Sequence, residues 1–327
     1  MTPPDPPETP DSPSGEPSDP SDPSHDKTCD ETGDDLPFSR PGRPGRPLGP
    51  IVEGCDTAHC AWLEPVREAY LQSSLTMSVL SQRLIMAKSK ISELMSGRLY
   101  PRWDLLGALA AELGIPAGPL YRLWCQAAPE IRRKSRSWHD HSTAPVAVRP
   151  GPPMDHTAFR ALTETGYDFY AGVFLSAPQR ESAVRDTYDR LWLSWTKALA
   201  SADIRRHAWD VLRETVMART PLIDGRPQFT HAAFDTVALR KLTGPENVEA
   251  AVEQLTETEA LFRAMSRLPG HQLDVVVLRS LGGMAEEVVS DLLGVPLATV
   301  RSDERHATRF LDSILCCPPP DPEGTPS

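Results

Sequence analysis

Two stretches of this chain concentrate bases and hydroxyls at helical spacing. In the first, Lys88, Ser89, Lys90 and Ser92 are followed by Arg98 and Arg102. In the second, Thr299, Arg301 and Ser302 are followed by Arg305 and Arg309. Lysine and arginine neutralise phosphates, and hydroxyls bond phosphate oxygens or base edges. The chemistry open to both sets is therefore non-covalent recognition of duplex DNA. Catalysis is not expected, because the sequence shows no nucleophile beside a base, no phosphate loop and no metal cluster. No cofactor, metal or small-molecule substrate is implied. Cys55 and Cys60 bracket His59, and Cys316 and Cys317 are adjacent. That spacing lacks the repeated ligand pairs of a zinc site, so free thiols are expected.

Recognition residues need helices to present them. From Ala61 to Ala127 the apolar pattern is helical, with Trp62, Val66, Ala69 and Tyr70 on one stripe. Thr76 is a good N-cap for the next helix, with Val79, Leu80 and Leu84 inward. A break at Ile85-Met86 precedes a helix in AKSKISELMSGRLYP, with Ile91, Leu94 and Met95 inward and Gly97 as its stop. Asp104 to Ile115 supplies a further helix ending at Gly114. Between Arg83 and Arg102 five bases (Arg83, Lys88, Lys90, Arg98, Arg102) stand against one acid, Glu93. The alternative to a DNA-reading face is a helical bundle with a solvated basic surface.

Residues 62–115 resemble the Cro and λ-repressor-like helix-turn-helix family. Leu75-Thr76, Leu84, Ser89, Ile91, Ser92, Ser96-Gly97-Arg98 and Pro101 stand at the family's positions, and Leu105, Leu109, Ala110, Leu113 and Gly114 continue the match. The resemblance implies that Thr76, Lys88, Ser89, Lys90, Ser92, Arg98 and Arg102 contact DNA. Met77 stands where the family usually carries a DNA-bonding glutamine.

Further along, Glu181 to Trp195 carries Val184, Tyr188, Leu191, Trp192 and Trp195 at helical spacing. By composition this is an aromatic-rich helical core. The helix also resembles region 2 of extracytoplasmic-function sigma factors, through Glu181, Val184, Thr187, Tyr188, Leu191 and Trp192. The resemblance implies that Val184, Tyr188, Leu191 and Trp192 dock on core RNA polymerase. Trp209 fits the start of the family's next helix, whereas basic and aromatic promoter-melting residues are not evident after Arg219.

Leu268 to Ser302 resembles sigma region 4. Leu268-Pro269, Gln272, Val275, Val276, Leu278-Arg279, Gly283, Val289, Leu292 to Pro296 and Thr299 to Ser302 carry the likeness. Gly294 ends one helix, Pro296 sets up the next, and Val300, Ala307 and Leu311 form its inner stripe. The resemblance implies DNA contact by Thr299, Arg301, Ser302, Arg305 and Arg309. Asp303 stands where a base commonly faces the groove, and Glu304 where an apolar residue packs inward. Residues 257–315 hold six bases and nine acids, so the fold is expected to be kept with DNA affinity reduced or altered.

The chain has 327 residues and a formal charge of −11. Residues 1–50 hold eleven acids, four bases and 14 of the 34 prolines, and are expected to be disordered. Within them, RPGRPGRP (40–47) partly resembles an AT-hook or is a basic spacer, and further on IRRKSR (131–136) is a phosphate clamp or a charged linker. No signal peptide or apolar membrane span is evident, so a cytoplasmic protein is expected. The expected fold is all-α, with helix-turn-helix domains joined by linkers. The divisions are a tail (1–60), a Cro-like domain (61–128), a linker (129–156) and a region 2-like domain (157–222). A helical linker (223–256), a region 4-like domain (257–317) and a second tail (318–327) complete it. The expected function is a DNA-binding transcription factor resembling a sigma factor, with double-stranded DNA and core RNA polymerase as partners. In a second reading only the N-terminal helix-turn-helix binds DNA and the body is a protein-interaction module. A helical adaptor with no DNA role is the third.

Overall fold

Aromatic side chains organise the first unit of the fold. The computed structural model describes residues 48–127, 151–234 and 248–315. The arginine-rich stretches at 40–47 and 131–136, the break at Gly244-Pro245 and Cys316-Cys317 lie outside the described residues. The first unit is α1 (Thr57–Gln72), α2 (Met77–Arg83), α3 (Lys88–Met95), α4 (Trp103–Leu113) and α5 (Ala117–Ala127). Trp62, Leu63, Val66 and Tyr70 on α1 pack with Leu80, Ile91, Leu94, Leu106, Leu109, Leu123 and Trp124 in one apolar cluster. Tyr100 stacks on Trp124 with ring centroids 5.7 Å apart, and Trp124 Nε1 donates to the Pro101 carbonyl at 3.1 Å. Such aromatic pairs add about 0.5–1.5 kcal/mol beyond area burial.

The boundary expected at residue 60 is corrected. Leu48, Ile51 and Cys55 pack on this cluster, and Val52 N–H donates to the Ser96 carbonyl at 3.0 Å. Arg67 fastens the segment from inside by donating to the Gly49 carbonyl at 2.6 Å and to that of Met95. The chain therefore joins the unit before its first helix.

The second unit contains α6 (Met154–Phe174), α7 (Ala177–Leu193), α8 (Trp195–Ala200), α9 (Ile204–Met217), α10 (Val248–Met265), α11 (Gly270–Val276), α12 (Glu286–Leu293) and α13 (Leu297–Leu315). A wider turn, Val277–Leu281, extends α11. Asp203 caps α9 by accepting from Arg205 N and Arg206 N, as short polar side chains do at helix starts. A small antiparallel hairpin, β1 (Leu222–Ile223) with β2 (Arg226–Pro227), interrupts the segment expected to be a helical linker. Asp224 and Gly225 at its turn have φ of 53° and 72°, which suits an Asp-Gly hairpin turn.

The two expected domains in this half are one body. Tyr167, Phe174, Tyr188, Trp209, Phe229, Phe262, Val276, Leu278, Leu293 and Val300 belong to a single buried cluster. Phe229 bridges Phe174 at 5.2 Å and Phe262 at 4.8 Å between centroids. Gly166 lets α12 approach α6: a Cβ there would meet Leu292 at 2.5 Å. At the heart lies Asp274, 3% exposed. Its carboxylate accepts from Tyr170 Oη at 2.7 Å, Trp209 Nε1 at 3.1 Å and Arg213 Nε at 2.9 Å. This polar knot ties α11 to α6 and α9.

Mostly helical architecture is thus present, while the apolar patterns merge into two cores rather than three. Among the described residues no helix is long and apolar enough to cross a membrane.

Candidate nucleic-acid interface

The first basic face is built from α2, a tight turn and α3. Thr76 caps α2, its hydroxyl oxygen accepting from Val79 N at 3.3 Å. That leaves the hydroxyl hydrogen for a phosphate. Ile91, Leu94 and Met95 bury one side of α3, so Lys88, Ser89, Lys90 and Ser92 stand exposed on the other. Gly97, with φ of 79°, turns the chain and Arg98 follows it outward. A Cβ at Gly97 would meet Cys55 Sγ at 3.1 Å and Leu63 at 3.2 Å, so this turn requires glycine twice over.

The structure sets acids beside three of these bases. Lys90 pairs with Glu93 at 2.8 Å, Arg83 with Glu112 at 2.7 Å, and Arg102 with Asp104 at 3.2 Å. Glu112 and Asp104 arrive from α4, outside the α2–α3 pair. All three pairs are solvent-exposed, and exposed pairs contribute little. A phosphate can therefore compete for these bases. Lys88 and Arg98 carry no ion pair among the described residues.

The turn holds one strained residue. Ile85 has φ of 50° and is 94% exposed. A left-handed conformation costs a β-branched residue roughly 1–2 kcal/mol, and almost no burial offsets it here. Replacing Ile85 by Asn, which tolerates this conformation, will stabilise the first unit by about 1 kcal/mol. Thermal unfolding checks this, and an unchanged or lower midpoint counts against it.

The second basic face is built from α12, a turn at Gly294 and α13. Gly294 has φ of 61°, and a Cβ there would overlap the Arg206 backbone nitrogen, so the turn abuts the start of α9. Thr299, Arg301, Arg305 and Arg309 are exposed on α13, and Ser302 is half-buried. The two unexpected acids serve the fold. Glu304 turns inward, where Arg279 Nε donates to it at 3.2 Å. Asp303, with its side chain 14% exposed, lies 3.5 Å from His271. Glu286 accepts from Arg301 Nε at 2.5 Å and also lies 3.9 Å from Arg279. Arg301, expected to contact DNA, is thus engaged by a carboxylate from α12. Arg305 and Arg309 have no ion pair among the described residues. Converting Glu286 to Gln will free Arg301 and raise affinity for random duplex about two- to threefold at low salt. Fluorescence anisotropy on a mixed-sequence duplex reads this, and unchanged binding would remove α13 as a phosphate contact.

The set assigned to polymerase docking is corrected. Val184, Tyr188 and Leu191 are 5%, 1% and 0% exposed, and Trp192 is half-buried. They pack between α7 and its own neighbours α6 and α9. Tyr188 Oη shares a hydrogen bond with Thr163 at 2.8 Å, and its ring stacks on Tyr167 at 5.8 Å. The period that marks these residues is real, but it marks a core. The polar residues between them, Asp186 and Asp189, meet α5, a pairing that no sequence spacing announces.

No protein-family model, curated protein or solved structure matches this chain.

Buried imidazoles give the molecule a pH response. His156 Nε2 meets the Tyr188 carbonyl at 3.1 Å, and its ring sits edge-on to Trp195 at 4.9 Å. His59 stacks on Trp62 at 4.8 Å. Burial pushes both below the ordinary imidazole value of 6.5. As pH falls through 6.5 the unfolded chain takes up protons that the folded one refuses, so stability drops. Asp189 and Asp274 are raised by burial and act oppositely, but from the lower carboxylate range near 3.8. A melting midpoint at pH 5.5 equal to or above that at pH 7.5 would contradict this.

The thiols of Cys55, Cys60 and Cys125 are unpaired. Burial and the neighbouring Cys55 push Cys60 up to about 12, which makes it a poor thiolate. Among the described residues no group of three His, Cys, Asp or Glu side chains could hold a metal ion.

Proposed function

We propose that this chain is a DNA-binding transcription factor. It reads duplex DNA through α3 of a Cro-like helix-turn-helix, and its sigma-like body serves as a protein-interaction module for core RNA polymerase. The observation that carries the reading is the asymmetry of the two basic faces. On α3, Lys88, Ser89, Lys90 and Ser92 all point to solvent, with Lys88 and Arg98 unpaired by acids among the described residues. On α13, Arg301 is held by Glu286. Hydroxyls and bases on one exposed helical face are what major-groove readout requires.

The fused body supports the module reading. A sigma factor must place region 2 and region 4 on separate promoter elements, whereas here the two stretches that resemble them contribute to one core closed by Asp274. One observation favours the alternative of a sigma factor that initiates transcription itself: Thr299, Arg305 and Arg309 remain exposed on α13.

Selection of bound duplexes from a random library by the full chain, repeated with Ser89→Ala/Ser92→Ala and with Arg305→Ala/Arg309→Ala, tests this. An enriched motif that relaxes only with the α3 substitutions is the expected result. A motif that depends on Arg305 and Arg309 alone would overturn the assignment to α3. Absence of any enriched or shifted duplex at low salt would leave the helical adaptor.

A further inference from the structure

The turn that enters α1 sets two thiols face to face. Asp56 is the N-cap of α1, so Cys55 stands just before the cap and Cys60 in the first full turn after it. These are the two positions at which side chains pair to fix the entry of a chain into a helix. Here both are cysteines. Cys60 Sγ lies 3.9 Å from the Cys55 carbonyl oxygen, and the two thiols are in hydrogen-bonding contact. Both residues are half-buried, so neither is sealed in the core.

Cys55 is also the residue through which this turn touches the end of α3. Its Sγ sits over Gly97, where a Cβ would come within 3.1 Å of it. Its backbone N–H donates to the Val52 carbonyl at 3.2 Å, and Val52 N–H in turn donates to the Ser96 carbonyl at 3.0 Å. Val52 and Glu53 line one crevice with Ser92 and Arg98. The two sides of the thiol pair differ in freedom. Cys60 belongs to α1, whose Trp62 and Leu63 are fully buried. Cys55 follows Gly54, which has φ of 88°, in a short turn. A bond between the sulfurs brings them far inside non-bonded contact. The displacement therefore falls on Cys55 and draws its sulfur toward α1, off Gly97.

We propose that Cys55 and Cys60 form a dithiol–disulfide pair, and that closing it loosens the C-terminal end of α3 and weakens DNA reading. The effect on DNA rests on the assignment of reading to α3. A small disulfide such as glutathione disulfide is the oxidant. The Cys55 thiolate attacks one of its sulfurs, and one glutathione thiolate leaves. The Cys60 thiolate then attacks the Cys55 sulfur of the mixed disulfide and expels the second. The protein gives up two protons and two electrons, and glutathione disulfide becomes two thiols. Cys60, kept protonated by burial and by Cys55, takes the second step, where its target already lies alongside.

The test treats the full chain with glutathione disulfide beside a Cys60→Ser variant. Both carry Cys29→Ser, Cys316→Ser and Cys317→Ser, so that the remaining thiols lie in the first unit. Peptide mass mapping reads the linkage, and fluorescence anisotropy on the selected duplex reads affinity. Hydrogen exchange at Gly97, Arg98 and Leu99, whose N–H groups bond back to Leu94 and Glu93, reads the end of α3 without DNA. The expected result is a peptide spanning both cysteines that is lighter by two hydrogens, with faster exchange at those amides. Duplex binding weakens about fivefold, at the low end for two coupled sites, and dithiothreitol restores it. Cys60→Ser shows none of this. A glutathione adduct with no Cys55–Cys60 link overturns the pair. A link without faster exchange at Gly97, or without weaker binding of a duplex that the reduced chain binds, overturns the coupling, as does an equal loss in Cys60→Ser. If the reduced chain binds no duplex, DNA reading by α3 falls by itself, and the mass and exchange arms still decide whether the pair closes and loosens the helix.

Discussion

Replacing Asp274 by alanine will destabilise the body by about 3 kcal/mol. Three donors from two helices converge on that carboxylate: Tyr170, Trp209 and Arg213. Burial raises its pKa and Arg213 holds it down, so the group is kept in place by its partners rather than by solvent. Alanine strands Tyr170 Oη and Trp209 Nε1 in the core and leaves Arg213 uncompensated. Because the Arg213 side chain is 33% exposed and can recover some hydration, the low end of the usual range of about 3–5 kcal/mol applies. Asp274→Asn, which keeps one acceptor, will fall between the parent and alanine. Urea unfolding followed by circular dichroism measures both. Arg309→Ala, on the exposed face of α13, should lie within about 0.5 kcal/mol of the parent and serves as the reference. If Asp274→Ala shifts stability no more than Arg309→Ala does, the knot contributes nothing to joining α11 with α6 and α9.

The second large effect is on DNA. Lys88→Ala with Arg98→Ala will weaken binding to the selected duplex about tenfold at near-physiological salt. It will also lower the slope of log K against log salt by about two, close to one for each phosphate no longer neutralised. These two bases are the right pair to remove because no acid in the described fold competes with DNA for them. Lys90→Ala should do less, since Glu93 already satisfies part of its charge. A titration across salt concentrations separates the outcomes. Weaker binding with an unchanged slope would mean that Lys88 and Arg98 do not touch phosphate.

Local chemistry made much of this legible in the sequence. Thr76 caps its helix because a short polar side chain satisfies a free N–H group, and Gly97, Gly114 and Gly294 end theirs because the chain must turn left-handed there. The stripe through Ile91, Leu94 and Met95 defines the outer face of α3 by spacing alone. What periodicity does not carry is the identity of the partner surface. The apolar residues of α7 are readable as a helix face, but not as one buried by α6 and α9. Equally, no spacing rule links Glu112 to Arg83, Glu286 to Arg301 or Arg122 to Asp189, because those pairs form only when distant helices meet. The hairpin turn at Asp224-Gly225 does leave a dipeptide signal, which the helical reading of the flanking segment obscures.

The separation of the two apolar clusters has a calorimetric meaning. Cooperative melting extends as far as a shared core does, so α1–α5 should melt as one unit and α6–α13 as another. A specific duplex binds only the folded form of what it touches, so it should raise the temperature of one endotherm and leave the other in place. Any shift that does cross to the second endotherm measures how strongly the contact at Arg122 couples the reader to the body.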